Sequence, residues 1–288
     1  MKLRPGALHA LRIPAVIAAL LAFSHLPAAQ AADMIGNCEV TGVKGSMPFT
    51  PVNAGVLTVE VNLPSNPGWY NGDTPDQIKD GYEYCLAANI AHRAGLDGVK
   101  IVNVAWDALV TGHTKDFDIA LSQISITEER KKVVDFSTPY FNSDFGVLVK
   151  KGTTVDSTSI KKMRFAVQQS TTGADFVTNK VQPAEVKVFP DAPGMVTALM
   201  AGQVEAAGND TAVMLGWATR SQGKLEVVGQ YTTGEAYGGL YPKASPNAAK
   251  INEIIEALIK DNTVKSLSTK YLGPVLGADP TSVPYIKP

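Results

Sequence analysis

Three polar clusters in the 288-residue chain lie where apolar runs give way to turns, and each carries groups suited to a small charged molecule. Ser122, Gln123 and Ser125 follow the run "FDIAL", and Arg130 lies about a turn further on. Ser170, Thr171 and Thr172 follow "RFAVQ" and lead into a helical pattern, where hydroxyls and free backbone N–H groups hold an anion. Asp210 follows "VEAAGN" and opens a third helix. A guanidinium fork takes a carboxylate through two hydrogen bonds, and a carboxylate accepts from an ammonium. An arginine and an aspartate on opposite walls of a cleft would bracket a zwitterion such as a free amino acid. Each residue also has a plainer reading: Arg130 as a surface ion pair with Glu128 or Glu129, and Thr172 and Asp210 as helix N-caps.

Other chemistries lack their parts. The chain has no G-x-S-x-G elbow, no G-x-x-x-x-G-K-[ST] phosphate loop and no G-x-G-x-x-G after its first strand. Past residue 31 only His92 and His113 remain, the first on a helix and expected to be partly exposed, the second in a Gly-Thr loop. Neither is spaced from Cys38 or Cys85 as metal ligands are. No catalytic residue, metal or cofactor is therefore assigned.

The elements that must position these residues begin after a leader. Lys2, Arg4 and Arg12 precede the apolar "IPAVIAALLAF", and "AQA" at 29–31 supplies small residues for a cleavage site. This pattern predicts a secretory signal peptide cut after Ala31, with export to a bacterial periplasm. The remaining chain has a formal charge of −4 and no basic block, which gives no footing for nucleic acid or an anionic membrane. No later segment reads as a transmembrane helix, so a soluble product is expected. In an oxidising compartment the lone pair Cys38 and Cys85 is a disulfide candidate; the alternative is that Cys85 is a small buried helix residue.

Residues 32–53 show no period and are expected to be irregular. Strands and helices then alternate: "VLTVEV", a helix from about Asp80 to Ala94 stopped by Gly95, "KIVNV", a short helix in "AWDALVTG", "DFDIALS", a helix start in "TEERKKVV", and "FGVLVKKG". "RFAVQ", "TTGADFVTN", "VKVFP", "GMVTALMAG", "VEAAGN", "TAVMLGWAT" and "LEVVG" repeat the alternation, and Ser245–Pro246 is read as the cap of a closing helix with Ile251, Ile254, Ile255 and Leu258 on one face. Two such blocks predict an α/β chain of two lobes with mixed sheets, and a ligand in the crevice at the strand ends.

The ordered segments "GVLTVEVN", "DGYEYCLAANIAHRAGL", "AWDALVTG", "FDIALSQISITEERKKVVDFSTPYF", "GVLVKKGT", "FAVQQSTTGADF" and "GQVEAAGNDTAV" resemble bacterial amino-acid ABC-transporter substrate-binding proteins over roughly residues 54–274. The resemblance implies a type II periplasmic-binding-protein fold with two α/β lobes and two hinge crossings. Lobe 1 would comprise 54–145 plus 238–288, and lobe 2 would comprise 146–237. It implies a non-enzymatic monomer that closes on a small zwitterion, an L-amino acid or close relative, and delivers it to ABC permease subunits. By position, Arg130 matches the α-carboxylate clamp, Asp210 the α-ammonium acceptor, and Thr172 a second carboxylate contact. Ser125, Gln123 and Asn62 match first-lobe ligand positions, and Trp69 and Tyr70 fall in the loop that supplies an aromatic wall. Three departures stand out. Ser170 occupies the glycine position of the family's "GTT" turn, where its Cβ would tighten the turn or its hydroxyl would enter the pocket. Cys85 stands where relatives carry an aspartate, and the loop "PSNPGWYNGDTPDQIKD" is longer than usual. The alternatives are a dehydratase-like enzyme using Asp73 or Glu235 as its acid, or a receptor serving a sensor or periplasmic dehydrogenase.

Overall fold

Alternating apolar strands with helical connections bury their faces best as sheets covered by helices, and the chain does so twice. A computed structural model describes residues 1–2, 33–277 and 280–287. The expected signal peptide and its cleavage site lie outside the described residues except for Met1 and Lys2. In chain order the strands and helices are β1 (Met34–Ile35), β2 (Cys38–Glu39), β3 (Val56–Val61), α1 (Tyr82–Ala94), β4 (Gly98–Asn103), α2 (Trp106–Val110), β5 (Ile119–Ala120), β6 (Val134–Phe136) and β7 (Phe141–Lys150). They continue with β8 (Arg164–Gln168), α3 (Thr172–Phe176), β9 (Glu185–Phe189), α4 (Ala192–Met200), β10 (Ala206–Asp210), α5 (Thr211–Arg220), β11 (Leu225–Tyr237), β12 (Leu240–Pro242), α6 (Ala248–Lys260), α7 (Thr263–Tyr271) and α8 (Gly273–Leu276).

Two five-stranded mixed sheets result, in the orders β4-β3-β5-β12-β6 and β11-β7-β10-β8-β9. Strands β3, β4 and β5 run parallel in the first, as do β8, β9 and β10 in the second. The chain passes from the first sheet to the second between β6 and β7, and returns between β11 and β12. Long β7 and β11 pair antiparallel, with Tyr237 opposite Phe141, so both crossings leave one edge of the second sheet side by side. Because β3, β5, β8 and β10 end in parallel registers, the first residues past each end gather in one crevice.

Several local expectations change. Strand β3 alternates in sequence, yet Leu57 to Val61 are all buried, because a central parallel strand is covered on both faces. Helix α1 starts at Tyr82 and ends, as its glycine dictates, at a left-handed Gly95 (φ +83°). All of it is buried, His92 and Arg93 included. The cause is the segment read as irregular, which forms the hairpin β1–β2 and then wraps the helix. Thr41 N donates to Asn89 Oδ1 (2.9 Å), Met47 N to Arg93 O (2.8 Å), and His92 Nε2 to Gly42 O (3.1 Å). "TEERKKVV" makes only a 3₁₀ turn at Arg130–Lys132, and "LEVVG" grows into thirteen-residue β11 with two irregularities in register. Helix α6 begins two residues after the expected Ser245–Pro246 start, with Asn247 in the cap position.

The end of the chain also differs from a complete return to lobe 1. Gln230 N donates to Pro284 O (2.9 Å), Ile286 N to Gln230 O (2.9 Å), and the Gln230 amide to the carbonyls of Pro280 and Val283. Gly229 makes this possible, since a Cβ there would lie 2.5 Å from Ile286 Cγ1. The segment 280–287 is therefore fixed to β11 of the second sheet.

Candidate functional site

Arg130 opens a 3₁₀ turn whose backbone is tied by its own N–H to Thr127 Oγ1 (3.1 Å). The turn swings the side chain inward, where it is 9% exposed. Its guanidinium donates to Ser125 O (2.8 Å) and, across the crevice, to Ser170 O (3.0 Å), and lies 5.4 Å from the centre of the Trp106 ring. No carboxylate forms a salt bridge with it among the described residues. Lys131 holds Glu128 (2.7 Å) and Lys132 holds Glu129, so the surface ion-pair reading of Arg130 fails. Burial lowers the guanidinium pKa, opposed by the nearby charges of Asp210, Glu235 and Asp175.

Asp210 faces the crevice from the end of β10. It stands in the cap position of α5, but its side chain makes no cap bond and instead accepts from Tyr237 Oη (2.7 Å). Burial pushes its pKa up to about 7, helped by the charge of Glu235 and opposed by the Tyr237 bond and Arg130. Thr171, not Thr172, caps α3 by accepting from Ala174 N (3.0 Å), which frees Thr172 to line the crevice and donate to Glu235 Oε2 (2.7 Å).

The crevice encloses about 600 Å³ including its open mouth. Of the predicted residues, Arg130, Asp210, Thr172, Ser125, Gln123 and Asn62 line it together. Gln123 is there as a strut. Its backbone N and its amide both donate to the Glu83 carboxylate, its Oε1 accepts from Asn66 Nδ2 (2.9 Å), and its backbone adopts φ +51°. Glu83 is fully buried and also accepts from Tyr140 Oη (2.5 Å); burial raises its pKa to about 7 against these three bonds. Asn62 Nδ2 is likewise committed, to Val104 O (3.0 Å).

Trp69, Tyr70 and Ser170 are placed otherwise than expected. Trp69 is fully buried among Tyr82, Phe141 and Tyr237, with ring centres 5.0–5.6 Å apart, and Tyr70 Oη donates to Leu121 O (2.8 Å). The long loop carries these apolar rings into the core, because burying them there outweighs leaving them at a polar mouth. Trp69 acts on the site only through Tyr237, the partner of Asp210. Ser170 is exposed and contributes its carbonyl, which accepts from both Arg130 and Trp106 Nε1 (3.2 Å); its φ is +55°, the conformation a glycine would take without strain. The aromatic ring that lines the crevice is instead Trp106, from the segment "AWDALVTG". The sequence signal for it was a tryptophan opening the short helix that follows a strand.

Cys38 and Cys85 are disulfide-bonded, with Cα atoms 5.4 Å apart. Neither carboxylate considered as an acid lines the crevice: Asp73 is exposed and sits 3.9 Å from Arg220, and Glu235 accepts from Thr172 Oγ1 and adds its charge to Asp210 from outside the lining. The two halves are bridged at several points. Gln169 Nε2 donates to Asp107 Oδ2 (2.7 Å), and Trp217 Nε1 to Asn66 Oδ1 (2.8 Å).

The sequence matches the family described as bacterial extracellular solute-binding proteins, family 3, over residues 57–274. It is 28% identical over 224 residues to the L-cystine-binding protein TcyJ of Escherichia coli (strain K12), spanning 76% of this chain and 83% of that one. The arginine-, lysine-, histidine-binding protein ArtJ from Geobacillus stearothermophilus superposes with a TM-score of 0.65 at 27% identity, over 75% of this chain and 95% of that one. The ancestral amino acid-binding protein AncCDT-1, a precursor of cyclohexadienyl dehydratase, does so with a TM-score of 0.64 at 28% identity, over 76% and 95%. Two mixed sheets joined by two crossings, with the crevice between them, are the type II periplasmic-binding arrangement of these structures.

Proposed function

Because the chain belongs to the bacterial extracellular solute-binding proteins of family 3, we propose that it is a periplasmic receptor that closes on a small zwitterion and presents it to an ABC permease. The ligand is an L-amino acid or close relative. The observation that carries this reading is a buried guanidinium with no carboxylate of its own, facing a buried aspartate across one crevice. Arg130 takes the α-carboxylate, with Thr172 as a second contact, and Asp210 takes the α-ammonium. Closure excludes water, which strengthens these charge-assisted bonds. The chain works as a monomer exported by its leader, cut after Ala31. Lobe 1 is built on residues 54–145 and the return from 238 through α8, and lobe 2 on 146–237, to which 280–287 is joined. Loss of one member of a buried charged pair costs about 2–5 kcal/mol. Arg130→Ala and Asp210→Ala are therefore expected to weaken amino-acid binding at least tenfold by titration calorimetry; wild-type affinity in either variant rejects the assignment.

The chain acts without catalysis in this reading, as its relatives named for binding suggest. The second reading is an enzyme on the same fold in which Glu235, hydrogen-bonded to Thr172 but outside the residues that line the crevice, would act as an acid toward a carboxylate-bearing ring held by Arg130. Turnover of such a substrate, lost in Glu235→Gln, would establish it.

A further inference from the structure

A second concavity, apolar where the crevice is polar, opens on the second lobe and shares no residue with the crevice. Its floor is buried Ile160 and Val181 with half-buried Phe176, Tyr231 and Ile286, an outward extension of the core around Phe145 and Phe165. Ile160 opens the 3₁₀ turn Ile160–Lys162, Phe176 closes α3, and Val181 ends the helical turn after it. The rings of Phe176 and Tyr231 lie 5.3 Å apart, and Ile286 forms the opposite wall, held through its N–H to Gln230 O (2.9 Å). The groove encloses about 1220 Å³ including its open mouth. Lys161, Lys180 and Lys287 line it from three separate segments and are exposed, which puts them at the rim. None of the three makes an ion pair or hydrogen bond with the described residues. No carboxylate lines the groove. Asp156, next to Ser157 of the lining, gives Oδ1 to Thr158 N and Ser159 N (2.8 and 2.7 Å), and Asp144 accepts from Tyr285 Oη (2.7 Å).

We propose that this groove is a binding site for one free alkyl-chain carboxylate of the fatty-acid class, its chain on the apolar floor and its head group among the three lysines. Eleven residues line the groove, against about 20–30 a side in a stable protein interface, so the space fits a small molecule rather than a protein partner. Apolar floor and cationic rim together call for an amphiphile, and three unpaired ammonium groups without a carboxylate set the sign of its head group. Each methylene taken from water onto the floor is worth about fourfold in affinity when fully buried. The lysines stand in water and are screened by salt, so they select the charge of the ligand more than they hold it. The site is independent of Arg130 and Asp210 and of whatever the crevice holds.

Calorimetry with dodecanoate, octanoate and dodecyltrimethylammonium, each below its micelle concentration, tests this. Dodecanoate is expected to bind one to a chain, about tenfold or more tightly than either of the others, and to weaken as salt is raised. Reversing two rim charges together, Lys161→Glu with Lys180→Glu, is expected to weaken dodecanoate about tenfold. Phe176→Ala is expected to weaken it about three- to tenfold, while Arg130→Ala leaves it unchanged. Melting temperatures within a few degrees of wild type establish that the variants fold; should Phe176→Ala fail this, the exposed lysine pair still decides. No saturable binding of dodecanoate, equal binding of the cationic amphiphile, or loss of dodecanoate in Arg130→Ala overturns the inference. So does cosedimentation with phosphatidylglycerol vesicles, or self-association, that depends on Lys161 and Lys180 while dodecanoate fails to bind, since the groove then has another occupant.

Discussion

A buried arginine without a counter-ion is a poor structural element, since removing the guanidinium from water is repaid here only by two carbonyls and an aromatic face. Asp210 has the complementary problem, being buried against the charge of Glu235. Burial pushes its carboxyl up to about 7, while an unfolded aspartate titrates near 4. Between those values the folded state holds a proton that the unfolded state has lost, so stability from this group falls as pH rises from about 4 to about 7. Glu83, raised to about 7 by burial, adds a contribution of the same sign. In the proposed reading, binding of an ammonium runs the other way, because it needs the Asp210 carboxylate and must expel the proton below pH 7. Amino-acid affinity is therefore expected to fall up to about tenfold per pH unit below 7, while the ligand-free protein melts higher at pH 5 than at pH 7.5. Calorimetry and thermal melts at those two pH values, repeated on Glu83→Gln, check both trends. The variant should lose part of the stability trend and keep the affinity trend.

Some elements that look amphipathic or alternating in isolation, α1 and β3 among them, are covered on every side in the fold, while α6 keeps an exposed face. Helix α1 shows why, since the sheet, α6 and α7 cover part of it and the hairpin β1–β2 with its continuation covers the rest. The Cys38–Cys85 bond pins this wrap to the helix and closes a loop of 47 residues in sequence separation. Chain-entropy arguments put the stabilisation from a loop of that size at about 4 kcal/mol. Replacing both cysteines by alanine is expected to lower the unfolding free energy by about that amount, read as a shift in denaturant midpoint. A midpoint unchanged from wild type would mean that backbone and packing contacts alone hold the wrap.

Opening and closing belong to the whole molecule, and here the two lobes are drawn together by polar bridges. Ser170 O receives two donors from the first lobe, Asp107 receives Gln169, and Trp217 reaches back to Asn66. The last bridge continues through Gln123 to buried Glu83, so the core of the first lobe is linked by hydrogen bonds to α5 of the second. Trp217→Phe keeps the ring and deletes the donor. It is expected to weaken ligand binding about three- to tenfold, the worth of one neutral hydrogen bond, and to enlarge the ligand-free radius of gyration in small-angle scattering. Unchanged affinity and radius would show that the bridge is incidental to closure.

The alternation of apolar runs, the glycine that stops α1 and the polar residues at strand ends were legible in the chain, because local hydrogen bonding and side-chain period decide them. So were the places of Arg130, Thr172 and Asp210 around the crevice, since each lies at the end of a strand or on the segment that follows one. Other features came from contacts distant in sequence. Trp69 and Tyr70 read as a ligand wall until the rings of Tyr82, Phe141 and Tyr237 closed around Trp69. Gln123 read as a ligand contact until Glu83 and Asn66 engaged its amide. Trp106 became the wall because β4 delivers it beside Arg130. Which polar groups are spent and which remain for a ligand is a question of partners, and partners from separate segments are chosen only when the chain packs.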